Sequence, residues 1–416
     1  MKVQMITLAA LAAASLSAQG VAQQGEQSLE RALADLNDGL TAPAGSSSYD
    51  ISGDARLRNL YISGGTSKDV DTRARLNFEF NVNENAGAVV SFLGFEHWGT
   101  QVADTGTGSK TGLNNVTGLA PGHDTRIDQA YYWAHDMFGD GGTATLGRKY
   151  FTVGSGRILG SDDWDQSPNK QTGLWYSHEA GGLNFQAFFL NSQDDAGAGG
   201  GLYPSEDYFG FTFDYVFEGG ETMGDIHISP YLLSTRDNGI TLEDGFYLGA
   251  EFSGSLAGFG WGAEWAKLDE NDAGVGGGSA YVLNTTIGLD ALESIPGVED
   301  GSLLLQITGA DDDFMPLAPV YHGVAGLRDA LGRGGIWTPD TDTLSAHLGF
   351  APGENWNGMI SYYGVEVGAA DFTEWDIQFG TTLVDAVDLW FGYAHTASDD
   401  GLTDDDALWA VVALPF

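Results

Sequence analysis

The chain of 416 residues contains no cysteine, which excludes a disulfide framework, a thiolate metal site and a cysteine nucleophile. Basic residues are scarce as well, since 17 Lys and Arg stand against 58 Asp and Glu, a formal net charge of −41. This excess of negative charge argues against binding nucleic acid or anionic phospholipid. No run of about 18 apolar residues occurs beyond the first residues, so any membrane crossing must use strands.

The N-terminal region is predicted to be a Sec-type signal peptide, residues 1–22. A basic start precedes a small apolar run at 6–16, and cleavage is expected after Ala22. That run is too short to span a bilayer as a helix. Residues 23–48 are polar and are predicted to form a periplasmic lead with a short helix at 28–36; the pattern leaves open whether this helix tucks into a barrel mouth.

From Tyr49 onward apolar and polar side chains alternate with a period of two. Residues 71–82 show it best, because Leu76, Phe78 and Phe80 alternate with charged and amide side chains. Successive side chains of a strand point to opposite faces, so each such segment has one apolar and one polar face. Outer-membrane barrels turn the first face to lipid and the second to the lumen. The 61 glycines and the 12% aromatic content are typical of such barrels.

Segments of this kind predict about 18 strands, with 16 as the alternative. They are 49–62, 71–83, 86–98, 124–137, 142–150, 170–179, 182–192, 206–217, 223–234, 244–254, 257–268, 277–289, 300–309, 341–351, 355–364, 371–382, 386–397 and 405–416. Every second connection between predicted strands is a tight Gly, Asn or Asp turn. The longest connections all belong to the other, alternating set. The predicted fold is therefore all-β: residues 49–416 form one antiparallel transmembrane β-barrel with short periplasmic turns and long extracellular loops, in the outer membrane of a Gram-negative-type bacterium.

The last predicted strand ends in the aromatic residue Phe416. Leu408, Ala410, Val412 and Leu414 share one face with it. A terminal aromatic after alternating apolar residues predicts recognition by the barrel-assembly machinery, although any edge strand at a chain end could have this pattern. The other expected partners are outer-membrane lipid and lipopolysaccharide.

Several stretches have a familiar spacing. They are 146–149, 154–160 and 162–166, then 314–317 followed by His322, Gly326 and Asp329, and finally 389–395. Together they resemble the alginate-export family of outer-membrane porins, over most of residues 50–416. The resemblance implies a monomeric 18-stranded barrel that exports or takes up saccharides.

Charge is distributed unevenly along the chain. Residues 1–160 hold 12 basic and 16 acidic side chains, whereas residues 161–416 hold 5 basic and 42 acidic ones. Strand parity directs the following residues to the lumen, with the direction of Arg148 less certain: Arg56, Arg58, Arg73, Arg75, Glu79, Arg148, Asp214, Glu251, Glu264 and Asp376. Arg126 and Arg157 are predicted to lie at the rim or in loops.

These positions predict a basic wall on the first five strands and an acidic wall opposite. A narrow channel with low-dielectric walls focuses such a field, which would orient polar solutes and favour cations overall. The predicted function is passive diffusion of small hydrophilic solutes, among them saccharides or oligosaccharides. In the alternative, the arginines pair locally with Asp54, Asp71 and Glu79 and only brace the wall.

The longest loop, 310–340, is predicted to narrow the pore. It has an apolar start, and a loop of this length is usually functional or disordered. If it folds into the lumen, His322, Arg328 and Asp329 lie near the narrowest point. The alternative is an external cap over the barrel mouth.

Enzymatic activity, a bound cofactor and a metal site are not predicted. No nucleophile elbow, His-Glu-x-x-His motif or phosphate loop is present, and no acidic cluster has the spacing of a calcium loop. Ser345 and His347 share a lumen face, but that spacing arises easily by chance. The main rival to a pore is a non-conducting structural or adhesin-like barrel.

Overall fold

The computed structural model describes residues 47–62, 68–99, 123–161, 170–192, 206–220, 223–237, 245–269, 277–289, 301–314, 316, 340–353, 355–368, 370–383, 387–398 and 405–416. Within these ranges no helix is long and apolar enough to cross a membrane.

The described residues form eighteen strands. They are β1 (Ser48–Ile62), β2 (Lys68–Asn83), β3 (Ala86–Gly99), β4 (His123–His135), β5 (Thr143–Lys149), β6 (Gln171–Ala180), β7 (Leu183–Ser192), β8 (Glu206–Phe217), β9 (Ile226–Asp237), β10 (Gly245–Leu256), β11 (Phe259–Leu268), β12 (Ser279–Gly288), β13 (Gly301–Ala310), β14 (Thr341–Phe350), β15 (Trp356–Val367), β16 (Ala370–Leu383), β17 (Val387–Ser398) and β18 (Asp405–Pro415).

The strands close into a single antiparallel barrel. Each strand pairs with its neighbour in the chain, and β1 pairs with both β2 and β18. Closure leaves no unpaired sheet edge, which is what a membrane-spanning sheet requires. The predicted 18-stranded barrel is confirmed, and the strand ends lie within three residues of the predicted ones.

The alternation predicted from the sequence corresponds to an outer and an inner face. Large apolar side chains such as Leu146, Leu344 and Trp375 are 58%, 56% and 51% exposed, whereas their chain neighbours Thr145, Ser345 and Glu374 are buried. A membrane barrel shows this pattern because its outer surface meets hydrocarbon and its inner surface does not.

Connections of different length separate as predicted, with two exceptions. Two-residue turns join β2 to β3, β6 to β7 and β10 to β11, and long segments such as 311–340 connect strand ends at the opposite end of the barrel. The segment 289–300 is long although it lies on the short-turn side, and 368–369 is short although it lies on the loop side.

The turn between β4 and β5 is held by its own carboxylates. The Gly141 N–H donates to Asp136 Oδ1 at 2.8 Å, and the Gly142 N–H donates to Asp140 Oδ1 at 3.0 Å. Tyr176 of β6 donates its hydroxyl to Asp140, and this bond is the main reason why the pKa of Asp140 lies below its ordinary value. The turn thus joins three strands at the short-turn end.

The C-terminal residue completes the closure. Phe416 exchanges both backbone hydrogen bonds with Gly53, at 2.8 and 3.0 Å. Its ring lies over the Cα of Gly53, because a Cβ built there would be 2.6 Å from Phe416 Cζ and 2.3 Å from the Arg75 carbonyl oxygen. The seam between β1, β2 and β18 therefore needs a glycine at position 53.

Gly53→Ala is expected to destabilise the barrel by about 1–3 kcal/mol, because the added methyl group overpacks the seam. Urea unfolding and the heat-dependent gel shift of the folded barrel measure the effect. Gly260→Ala in β11 is the matched control, since the nearest atom to its Cβ would be 3.4 Å away. Equal stability of the two variants would contradict tight packing at Gly53.

Candidate functional site: an inward strap and a basic wall

The segment that follows β5 folds into the barrel. We call residues 150–161 the strap. Val153, Ile158 and Leu159 are at most 1% exposed, although they lie between two strands in a part of the chain where loops usually meet solvent. A bridge between Val153 and Leu159, with the Val153 N–H donating to the Leu159 carbonyl oxygen at 2.9 Å, turns the strap back on itself.

The strap packs against the inner face of one side of the barrel. Its apolar side chains share a buried cluster with inward-facing residues of β6 to β12 and with one residue after β13. The cluster consists of Phe151, Val153, Ile158, Leu159, Trp175, Phe188, Leu190, Tyr208, Tyr231, Leu233, Tyr247, Ala266, Leu268, Ala280, Val282 and Phe314. The strap therefore covers the inner face of β6 to β12 with apolar side chains.

The tip of the strap is bonded to β11. Arg157 Nη1 lies 2.6 Å from Glu264 Oε2, and Ser155 donates its hydroxyl to the same oxygen. Tyr231 of β9 donates to the other oxygen, Oε1, at 3.1 Å. The Glu264 side chain is only 2% exposed, so its charge is balanced inside the barrel by the strap.

The two ends of the segment between β5 and β6 meet at Asp128 of β4. Tyr150, the first residue of the strap, donates its hydroxyl to Asp128, and Lys170 Nζ lies 2.9 Å from Asp128 Oδ1. Asp128 and the Lys170 side chain are at most 1% exposed. Because breaking a buried ion pair leaves an uncompensated charge, this contact fixes the two ends of the connection between β5 and β6.

A β-bulge in β4 makes this arrangement possible. Ser91 pairs with Gln129 and Phe92 pairs with Ile127, so Asp128 is an extra residue in the ladder. An extra residue shifts which side chains face inward. The side chains of Asp128 and Gln129, although adjacent in the chain, therefore both contact groups inside the barrel. The Gln129 side-chain oxygen accepts the Tyr150 N–H at 3.1 Å.

Arginines of β1, β2, β4 and β5 face the lumen beside the strap. We call Arg56, Arg58, Arg73, Arg75, Arg126 and Arg148 the basic wall. Arg58, Arg73 and Arg56 are 0%, 3% and 8% exposed, while Arg75, Arg126 and Arg148 are only half-buried. The inward direction of Arg148, uncertain from parity, agrees with its half-buried state.

Carboxylates of the same strands pair with part of this wall. Arg58 donates to Asp71 Oδ2 through Nε at 3.0 Å and Nη2 at 2.8 Å. Asp54 forms ion pairs with Arg73 at 3.0 Å and with Arg75 at 3.5 Å. Arg58 is thus fully buried in its ion pair, whereas Arg75, which also lies 3.6 Å from Asp128 Oδ2, keeps 12% of its side chain exposed.

The remaining predicted lumen residues divide by accessibility. Glu79 and Asp214 are exposed, Glu251 is half-buried and Asp376 is fully buried. Glu79 forms no ion pair with an arginine among the described residues, so the predicted pairing of Glu79 is not seen there. Arg157 was expected at the rim or in a loop; it does lie in the connection between β5 and β6, and this connection brings it to Glu264 inside the barrel, whereas Arg126, expected in the same places, lies in β4.

The predicted constriction loop lies almost wholly outside the described residues. His322, Arg328 and Asp329 belong to this part of the chain, so the prediction for them stays untested. The inward segment that the structure does describe is the strap. The sequence carried one signal for it, the apolar residues Phe151, Val153, Ile158 and Leu159 in a long connection.

Ser345 and His347 do meet on the inner face. His347 Nε2 lies 3.1 Å from Ser345 Oγ, and Nδ1 lies 3.0 Å from Ser361 Oγ. Both ring nitrogens thus contact hydroxyls, so no carboxylate orients the imidazole as in a hydrolase triad. Both serines are fully buried. Within the described ranges no group of three or more His, Asp or Glu side chains could hold a metal ion.

Neither a family model nor a curated protein matches the chain. Solved outer-membrane porins share its fold. OpdK of Pseudomonas aeruginosa with vanillate matches with a TM-score of 0.60 at 15% identity, over 88% of this chain and 98% of that one. OccAB2 of Acinetobacter baumannii matches with 0.62 at 12%, and a BenF-like porin of Pseudomonas fluorescens Pf-5 with 0.60 at 15%; both cover 88% of this chain and 98% of theirs. The shared property is the 18-stranded porin fold.

Proposed function

We propose that the chain is an outer-membrane porin that lets small hydrophilic solutes diffuse passively through a conduit between the strap and the basic wall. The observation that carries the proposal is the strap, which fills one side of an 18-stranded barrel. Barrels of 16 to 18 strands enclose an aqueous channel unless something occupies it. An inward segment on one side narrows such a channel and leaves a path on the other.

Charged side chains beside the path create an electric field across the lumen. Arg75, Arg126 and Arg148 lie on one side, and Asp214 and Glu251 lie on strands further round the barrel. A field of this kind orients polar solutes as they pass, because the low-dielectric walls focus it. Glu264 contributes less than its charge suggests, since Arg157 neutralises it.

Saccharides or oligosaccharides are the proposed solutes. The excess of carboxylates favours cations overall, while the basic wall offers a local contact to those solutes that carry a carboxylate. The resemblance to the alginate-export family remains a prediction from the sequence, because the solved structures that match have other names. A long polyanion would require many cations along the pore, and the whole chain has only 17 Lys and Arg. The proposal is therefore confined to small solutes.

The proposed setting is the bacterial outer membrane. The outer face contacts membrane lipid and lipopolysaccharide, and residues 1–22 serve as the signal for export. Phe416 is the proposed contact for the barrel-assembly machinery, since it ends the strand that closes the barrel. The proposed activity is passive, without a catalytic step.

Purified wild-type protein in planar lipid bilayers is expected to give discrete conductance steps. Vanillate, a neutral trisaccharide and a uronic acid, each added to one side, test the solute class through transient blocks of the current. More frequent blocks by the two carboxylates than by the neutral sugar support a wall that selects anionic solutes. A folded, membrane-inserted protein without conductance steps would instead favour the structural or adhesin-like barrel.

A further inference from the structure

We propose that Glu264 is a latch: a positioning residue that holds the strap across the lumen and thereby sets the width of the conduit. The inference rests on the proposed pore function, but it makes its own claim about position. It assigns one carboxylate on β11 the task of fixing a segment that begins at β5, six strands away around the barrel.

The latch is built from three donors around one carboxylate. Glu264 Oε2 accepts from Arg157 at 2.6 Å and from the Ser155 hydroxyl, and Oε1 accepts from Tyr231 at 3.1 Å. Two of these donors belong to the strap tip, and the third belongs to β9 of the barrel. Charge-assisted hydrogen bonds are stronger and more directional than neutral ones, so this carboxylate defines where the tip lies.

The backbone of the strap approaches the wall closely at the same point. Gly154 has a φ of +55°, and a Cβ there would lie 3.0 Å from Tyr231 Cε1 and 3.1 Å from Glu264 Oε1. A glycine suits both demands, since it adopts positive φ at no steric cost and leaves room for the ring. The tip is therefore shaped to sit on the latch.

Apolar packing alone would not give the strap one position. Val153, Ile158 and Leu159 contribute a non-directional force that permits sliding along the apolar wall of β6 to β12. The hydrogen bonds to Glu264 are directional and therefore hold the strap tip at one position. The barrel ladder does not depend on it, because the strap pairs only with itself through Val153 and Leu159. Loss of the latch should thus free the strap locally while the barrel stays folded.

A neighbouring residue provides a matched control. Glu251 of β10 pairs in register with Glu264 and has the same inward direction. Among the residues that the structure describes, no hydrogen bond or ion pair joins Glu251 to the strap, and the charge of Arg157 acts on Glu251 only at longer range. Glu264→Gln and Glu251→Gln therefore remove the same charge from the same region of the lumen, and only the first removes the latch.

The first measurement is single-channel recording of the two variants beside the wild type. Glu264→Gln should raise the mean conductance and add fluctuations between substates, whereas Glu251→Gln, which removes a lumen charge but leaves the strap bonded, should change the size of the conductance step without adding substates. Ser155→Ala and Tyr231→Phe, which each remove one donor, should produce smaller changes in the same direction. Identical recordings from Glu264→Gln and Glu251→Gln would overturn the latch.

The second measurement does not depend on conductance. Because the chain has no cysteine, Ile158→Cys provides a single thiol, in a side chain that is 1% exposed. A water-soluble maleimide should label it several-fold faster in the Glu264→Gln background than in the Glu251→Gln background. Equal rates overturn the latch. A silent wild-type channel with different labelling rates would overturn the pore function and leave the latch in place.

Discussion

Replacing residues 152–160 with a short Gly-Ser linker is expected to raise single-channel conductance several-fold. The replacement removes Val153, Ile158 and Leu159 from the lumen and also removes Arg157 from Glu264. The eighteen strand pairings do not involve the strap, so the barrel should still close. Planar-bilayer recording measures the change directly.

The control for this experiment is a substitution within the strap that leaves its contacts intact. Thr152 is exposed, so Thr152→Ala should keep the wild-type conductance. A gel shift on heating verifies that each variant is folded. If the strap-shortened barrel is folded and conducts like the wild type, the strap does not limit the current.

Replacing Arg75 and Arg126 with glutamine is expected to shift the reversal potential in a salt gradient toward cation selectivity. Both side chains are half-buried on the lumen side, so their charge acts on passing ions. The shift should shrink at high salt, since the Debye length falls to about 3 Å at 1 M.

Arg58→Gln is the comparison that distinguishes an arginine that acts on passing ions from one that only stabilises the barrel wall. Arg58 is fully buried against Asp71, so the substitution should leave selectivity nearly unchanged. It should instead cost about 3–5 kcal/mol of stability, because it removes the charged partner that donates two hydrogen bonds to the buried Asp71 carboxylate. A large selectivity change with Arg58→Gln and none with the Arg75 and Arg126 pair would reverse these roles.

Much of the barrel could be predicted because the alternation of apolar and polar residues has the same cause in every strand. Each strand must show apolar residues to lipid and can show polar residues to the lumen, as residues 71–82 do in β2. That demand recurs in every strand and needs no partner far away in the chain. It therefore located the strands within three residues.

The strap could not be placed by the same reasoning because its contacts are long-range. Arg157 meets Glu264 across 107 positions of the chain, and no local spacing indicates that pair. The bulge that directs Asp128 inward is equally hidden, since His123–His135 has no break in composition. Parity correctly directed Arg58 and Arg75 to the lumen, but burial, which separates bracing from lining, depends on neighbours from other strands.

The central claim, that the strap lies inside the barrel against one side of its inner face, is tested most directly by cross-linking. Phe151→Cys/Phe188→Cys carries the only two thiols in the chain and leaves Glu264 and its donors unchanged. The two rings that these thiols replace lie 4.8 Å apart, so a short bifunctional thiol reagent should join the thiols in folded barrels in lipopolysaccharide-containing liposomes. The closed loop then changes migration on a denaturing gel. Phe151→Cys/Ser361→Cys, with the second thiol on β15, should remain unlinked, because β15 lies eight strands from β7 in the barrel of eighteen. Equal yields from the two pairs, or no link in either, would contradict the position of the strap inside the barrel.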